Sequence, residues 1–177
     1  MVSFTDSAEA EALAERAHEL MEEVVLPKER ELAGGMAASE RTIEELREAA
    51  REYNVYAPQI AEEHGGMGYD FRDVLPTFEE AGRSILGAQA MRVAAPDEGN
   101  MHLLELHGSE LQKEEYLEPL VEGEISSGFS MTEPMQGGGS DPKMLKTTAE
   151  KDGDEWVING HKWWTTNGVN ADILLVF

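Results

Sequence analysis

The sequence predicts an α+β chain: an amino-terminal all-helical domain over residues 1–124 and then an incomplete antiparallel β-domain over residues 125–177. Three observations carry this reading. Up to about residue 122 the apolar residues recur at steps of three and four, the spacing of one helical face. From residue 125 onward, short β-prone runs are divided by Asp152-Gly153, Asn159-Gly160 and Asn167-Gly168, pairs that favour tight turns. The last five residues, Ile173-Leu174-Leu175-Val176-Phe177, form an apolar run without a polar tail, which is read as a chain cut within a strand.

In chain order, Leu13, Ala17, Leu20, Met21 and Val24 share a face of a first helix that Pro27 bends or ends. A second helix is expected after Ser39, with Ile43, Leu46, Ala50 and Tyr53 turned to the core, and a third with Val74, Phe78, Ala81 and Ile85. Asp97 is the expected N-cap of a helix through His107. Ser109 and Gln112 have capping-box spacing ahead of Leu117, Leu120 and Val121. Strands are expected over residues 125–131, 144–151, 156–158, 162–166 and 172–177.

The chain has 177 residues, no cysteine, and 36 Asp+Glu against 14 Lys+Arg, a net charge of −22. No apolar run approaches the roughly 20 residues of a membrane span, and the first residues lack the basic and apolar regions of an export signal. The expected location is the cytoplasm. A surface this acidic repels polyanions, which excludes nucleic acid as a partner. Concentrated salt shortens the Debye length to about 3 Å at 1 M and screens the self-repulsion, so a halophilic source is expected; a fold that survives dialysis to low salt would contradict it.

Candidate chemistry lies in the second half. Gly128-Phe129-Ser130-Met131-Thr132-Glu133-Pro134 reads as a strand stopped by proline, which leaves backbone groups at its end open either to a ligand or to a plain turn. The following Gly137-Gly138-Gly139-Ser140-Asp141 could approach a phosphate or be a connector, and it lacks both the P-loop and the dinucleotide fingerprint. If residues 162–166 are a strand, Trp164 and Thr166 share one face and pair an aromatic plane with a hydroxyl, suited to a flat heteroaromatic ring or to a β-core. None of the five histidines forms a helical i, i+4 pair, so no metal site is expected.

The joint order of short motifs resembles the amino-terminal part of the acyl-CoA dehydrogenase family. These are Glu63-His64-Gly65-Gly66-Met67-Gly68, Gln112-Lys113 with Tyr116-Leu117, Met131-Thr132-Glu133-Pro134, Ser140-Asp141, Asn159-Gly160-His161-Lys162 and Trp164-Thr165-Thr166-Asn167-Gly168. Ala95-Pro96-Asp97-Glu98-Gly99-Asn100-Met101 with Trp163-Trp164 is closer to the long-chain-acting branch.

The resemblance implies an FAD enzyme that removes two hydrogens from an acyl-CoA. Phe129, Met131 and Thr132 would contact the isoalloxazine, Trp164 would pack on it, Thr166 would bond near N5, and Ser140 would help hold the acyl-CoA substrate. Glu133 would belong to the strand-end turn and not act as the base. An electron-transfer flavoprotein as acceptor and a homo-oligomer are implied as partners. Gly137-Gly138-Gly139 departs from the family spacing as a short insertion. The family's catalytic glutamate, its carboxy-terminal helical bundle and the neighbouring subunit's FAD contacts fall outside the matched stretch, so no catalytic residue is expected in this chain. Related flavin oxidases or monooxygenases, and a non-catalytic or accessory piece, are the alternative readings.

Overall fold

The computed structural model describes residues 5–32, 38–134 and 138–177, in two compact units, Met1–Glu124 and Ile125–Phe177. The first is helical: α1 (Ala8–Leu20), α2 (Leu26–Glu31), α3 (Glu40–Glu52), α4 (Phe71–Ala81), α5 (Ile85–Ala90), α6 (Asp97–His107), α7 (Glu110–Gln112) and α8 (Glu118–Glu122). Leu13, Leu20, Met21, Ile60, Leu86, Met91, Met101, Leu117 and Leu120 are fully enclosed and form its core. No helix among the described residues is long and apolar enough to cross a membrane.

Proline shapes two of these helices in the same way. Between α1 and α2 the residues Met21–Val25 form a π turn in which the Leu26 N–H reaches the Met21 carbonyl, five residues back. Pro27 follows in the first turn of α2. Between α7 and α8 the residues Lys113–Leu117 repeat the pattern: the Glu118 N–H bonds the Lys113 carbonyl, and Pro119 follows. A proline offers no N–H and crowds the carbonyl four residues behind it; a widened turn relieves both. The extra residue displaces the apolar stripe by one position, so Val25 is buried where Val24 was expected, and Val24 is half-buried.

Local capping is as the side chains dictate. Ser7, Ser39, Asp70 and Ser84 each accept a backbone N–H at a helix start. Ser109 and Gln112 close a capping box, with bonds of 2.9 and 3.3 Å. Asp97 departs from expectation. It is the first residue of α6, not its cap; Pro96 holds the N-cap position, and the Asp97 carboxylate accepts from Arg92 at 2.8 Å. Ile85 also departs: α4 stops at Ala81, and Ile85 opens α5 with 59% of its surface exposed. In the glycine loop, a Cβ on Gly66 would lie 2.1 Å from the Ile60 carbonyl oxygen, so the backbone passes where no side chain fits.

The C-terminal end of α8 collects cations. Arg92 donates to Leu120 O, the Tyr56 hydroxyl to Val121 O at 2.7 Å, Arg51 to Glu122 O at 3.0 Å and Arg47 to Gly123 O at 3.1 Å. Gly123 ends the helix at φ 84°. The last carbonyls of this helix thus each meet a side-chain donor, three of them a guanidinium placed at the negative end of the helix dipole, and Leu120 O also takes the Gly123 N–H at 3.2 Å. Arg92 is 4% exposed and takes a φ of 58°. Burial pushes its guanidinium down from its ordinary pKa, against the pull of Asp97.

The second unit has two separate two-stranded sheets. β1 (Ser127–Ser130) pairs with β4 (Ile173–Val176) in parallel, Ser127 opposite Ile173 and Ser130 opposite Val176. β2 (Thr148–Asp152) pairs with β3 (Glu155–Asn159) antiparallel, across a two-residue loop whose Gly153 has the φ of 61° that such tight hairpins require. The antiparallel pairing expected of this domain is that of β2 with β3, whereas β1 and β4 run parallel. The start of the parallel pair is fixed by Asp172, whose carboxylate accepts from the Ser126 N–H at 2.8 Å while its own N–H returns to Ser126 O at 2.9 Å.

Candidate functional site

The junction at the end of β1 is built on Glu133. Its carboxylate is 3% exposed and accepts the Lys146 and Thr147 N–H groups at 2.8 Å each, the Thr147 hydroxyl at 2.6 Å and the Lys162 ammonium at 2.9 Å. The Thr147 hydroxyl contributes most, with the two N–H groups and Lys162, to hold this carboxyl down to about 2. Glu133 is therefore ionised, saturated with donors and unavailable as a base at neutral pH. Lys162 reaches further, to the Met131 carbonyl at 2.8 Å, and the Trp163 N–H bonds Thr132 O at 3.0 Å. Three stretches of chain, residues 131–133, 146–147 and 162–163, meet at one ion pair.

Residues 162–166 are not a strand. Trp164 lies at φ 56° and Asn167 at φ 63°, and the Gly168 N–H closes a turn on Thr165 O at 3.0 Å. The period-two argument that put Trp164 and Thr166 on one face fails, because a left-handed residue interrupts the alternation. What replaces it is more pointed. Trp164 is 80% exposed, its ring 5.8 Å from that of Trp163. A bulky residue in left-handed backbone costs on the order of 1–2 kcal/mol, and here the cost serves to present an aromatic plane outward.

The other expected site residues are placed as follows. Phe129 is half-buried, its ring 6.1 Å from that of Phe177. Met131 and Thr132 are half-buried, and among the described residues neither the Thr132 N–H nor its hydroxyl has a partner. Thr166 is exposed. Ser140 is exposed in a turn after Gly138 and Gly139, which have φ of 82° and 67°; Gly137 lies outside the described residues. A Cβ on Gly128 would sit 2.7 Å from Leu174 Cδ2, the end of a side chain that would have to turn aside.

Lys162 and Thr147 hold this junction, and no site role was expected for either. Lys162 lies 29 positions from Glu133, beyond the reach of any periodicity. Its one local signal is a cation set among tryptophans and threonines in a chain poor in basic residues. His64 is 9% exposed, with Glu118 3.4 Å away. Elsewhere, a cavity of about 680 Å³ beside the glycine loop is lined by Glu9, Glu62, Asp70 and Asp73, carboxylates that repel an anionic thioester cofactor.

The model of the acyl-CoA dehydrogenase N-terminal domain matches residues 7–124, and that of the acyl-CoA dehydrogenase middle domain matches residues 128–177. The mouse protein acyl-CoA dehydrogenase family member 11 is 33% identical over 94% of this chain and 22% of its own length. The butyryl-CoA dehydrogenase of Megasphaera elsdenii superimposes with a TM-score of 0.69 at 29% identity, over 99% of this chain and 45% of that one. A glutaryl-CoA dehydrogenase from Mycobacterium smegmatis, solved in complex with FADH2, gives a TM-score of 0.70 at 25% identity, over 96% of this chain and 42% of that one. The chain thus spans about a fifth of this curated relative and less than half of the solved proteins.

Proposed function

This chain belongs to the acyl-CoA dehydrogenase family, and from that premise we propose that it supplies the flavin-facing part of an FAD-dependent oxidoreductase. The reaction is the α,β-dehydrogenation of an acyl-CoA thioester to the trans-2-enoyl-CoA. The observation that carries the reading is the outward Trp164 plane, at φ 56° and 80% exposed, in the residue after the Trp163 whose N–H bonds Thr132 O, with the two donors of Thr132 lacking a partner among the described residues. An unmet pair of donors and an exposed aromatic plane fit a flat, polar-edged ring.

When bound, FAD supplies the acceptor for the hydride that leaves the β-carbon. The chain's own residues do the rest of what this half can do. The Thr132 N–H and hydroxyl address the polar edge of the ring, Trp164 packs on its plane, and Phe129 and Met131 border it. Thr166 donates near N5, and Ser140 faces the acyl-CoA. The α-proton goes to a carboxylate base outside residues 1–177, so this chain by itself is expected to be inactive. An electron-transfer flavoprotein as acceptor and a homo-oligomeric assembly complete the proposal.

The exposed apolar side chains of Leu174, Val176 and Phe177, at 50%, 43% and 54%, favour a second reading. In it the chain is a non-catalytic or accessory piece whose β4 edge packs against further polypeptide. Incubation with FAD followed by removal of free cofactor separates the two. A retained flavin spectrum is expected, with Trp164→Ala weakening FAD about tenfold through lost ring packing. A colourless wild-type chain would favour the accessory reading.

A further inference from the structure

We propose that Lys162 is a positioning residue that sets the affinity and the redox poise of the flavin-facing edge, by polarising the Met131–Thr132 peptide from its far side. The inference rests on the FAD reading above and adds to it a residue that touches no flavin.

The geometry is that of a single peptide unit. The Lys162 ammonium sits 2.8 Å from the Met131 carbonyl oxygen, with its side chain 11% exposed. In a planar trans peptide the N–H of the next residue points opposite to that carbonyl, so the Thr132 N–H faces away from Lys162. A cation on the oxygen draws electron density through the unit and makes the N–H a stronger donor, an effect that a low-dielectric surrounding enlarges. The donor so strengthened has no partner among the described residues. A donor at the polar edge of a flavin is worth more once that edge carries the charge gained on reduction. Lys162 therefore favours binding in general and binding of the reduced form in particular.

Glu133, 2.9 Å from the same ammonium, tempers the effect. Its charge opposes that of Lys162, and its other contacts, to Thr147 and the Lys146 N–H, anchor the pair. The two residues should then act on the potential with opposite signs. A bridge that only holds three stretches of chain together would move both variants the same way.

The test uses the full chain loaded with FAD, with FAD affinity measured by fluorescence titration and the two-electron potential by dye equilibration. Lys162→Gln keeps a donor and removes the charge. It is expected to weaken FAD about tenfold and to lower the potential by about 30 mV, the equivalent of a further tenfold loss for the reduced form. Lys162→Arg restores both to within about threefold, and Glu133→Gln, which leaves the cation uncompensated, raises the potential. If Lys162→Gln does not fold by circular dichroism, the direction of the Glu133→Gln shift decides. Lys162→Gln and Glu133→Gln shifts of the same sign, or no shift in either, overturn this inference and leave the FAD reading standing. A wild-type chain that takes up no FAD overturns both.

Discussion

Replacing Arg92 by alanine is expected to destabilise the helical unit by about 3–5 kcal/mol, the usual cost of breaking a buried ion pair from one side. The substitution removes the cation from the Asp97 carboxylate and the side-chain donor from the Leu120 carbonyl together. With a urea slope of about 2 kcal/mol per molar, the unfolding midpoint should fall by about 2 M. Far-UV circular dichroism reads this transition, because the helices lie in the first unit, whereas all three tryptophans lie in the second. Arg92→Gly should recover roughly 1 kcal/mol of the loss, since the φ of 58° strains alanine and not glycine. Arg92→Lys should fall between wild type and alanine, because an ammonium cannot fork between a carboxylate and a carbonyl as a guanidinium does. An alanine variant within about 0.5 kcal/mol of wild type, the range of an ordinary surface change, would show that the pair contributes little.

Acid should undo the second unit through Glu133. Its carboxyl is held down to about 2 in the folded chain, against roughly 4.3 for a glutamate in an unfolded one. Because the folded value is the lower, the folded state binds fewer protons in this window. The contribution is fully present above the unfolded value, declines as pH falls from about 4 towards 2, and is gone below the folded value. The tryptophan-detected midpoint should drop steeply over that window. In Glu133→Gln it should start lower at pH 7 and stay nearly flat. Equal slopes in the two proteins would assign the acid sensitivity elsewhere. Glu98 in the first unit has the opposite sign: burial raises its pKa, so the stability it lends at low pH is lost as pH rises through its folded value. The helical and tryptophan signals should therefore part in mild acid.

What could be read from the sequence was what neighbouring residues decide. The capping box at Ser109 and Gln112 needs only three residues of separation, and the apolar faces of α3 and α4 follow from steps of three and four. The hairpin at Gly153 is signalled by its own dipeptide. The parallel pairing of β1 with β4 joins residues 46 apart, and no local pattern encodes such a partner. The site divides in the same way. Met131, Thr132 and Trp164 could be named from motif order, but the ion pair that joins their stretches could not. The turn at Trp164 was missed because tryptophan and threonine favour strands, and the bonds that bend the chain there, Trp163 to Thr132 and Gly168 to Thr165, outweigh that preference.

The two π turns also determine where these helices can tolerate a change in length. In an ordinary α-helix, adding or deleting one residue rotates everything beyond it by about 100° and turns the core-facing side chains towards water. At Met21–Val25 and Lys113–Leu117 the chain already holds one residue more than an α-turn needs, a phase slip kept in place by the proline that follows. A deletion inside either turn would return it to α geometry, with the residues on both sides still in register with their neighbours. At those two places, losing an exposed residue such as Glu22 or Glu114 keeps the apolar stripe in phase, and its cost falls on the proline that the widened turn relieves.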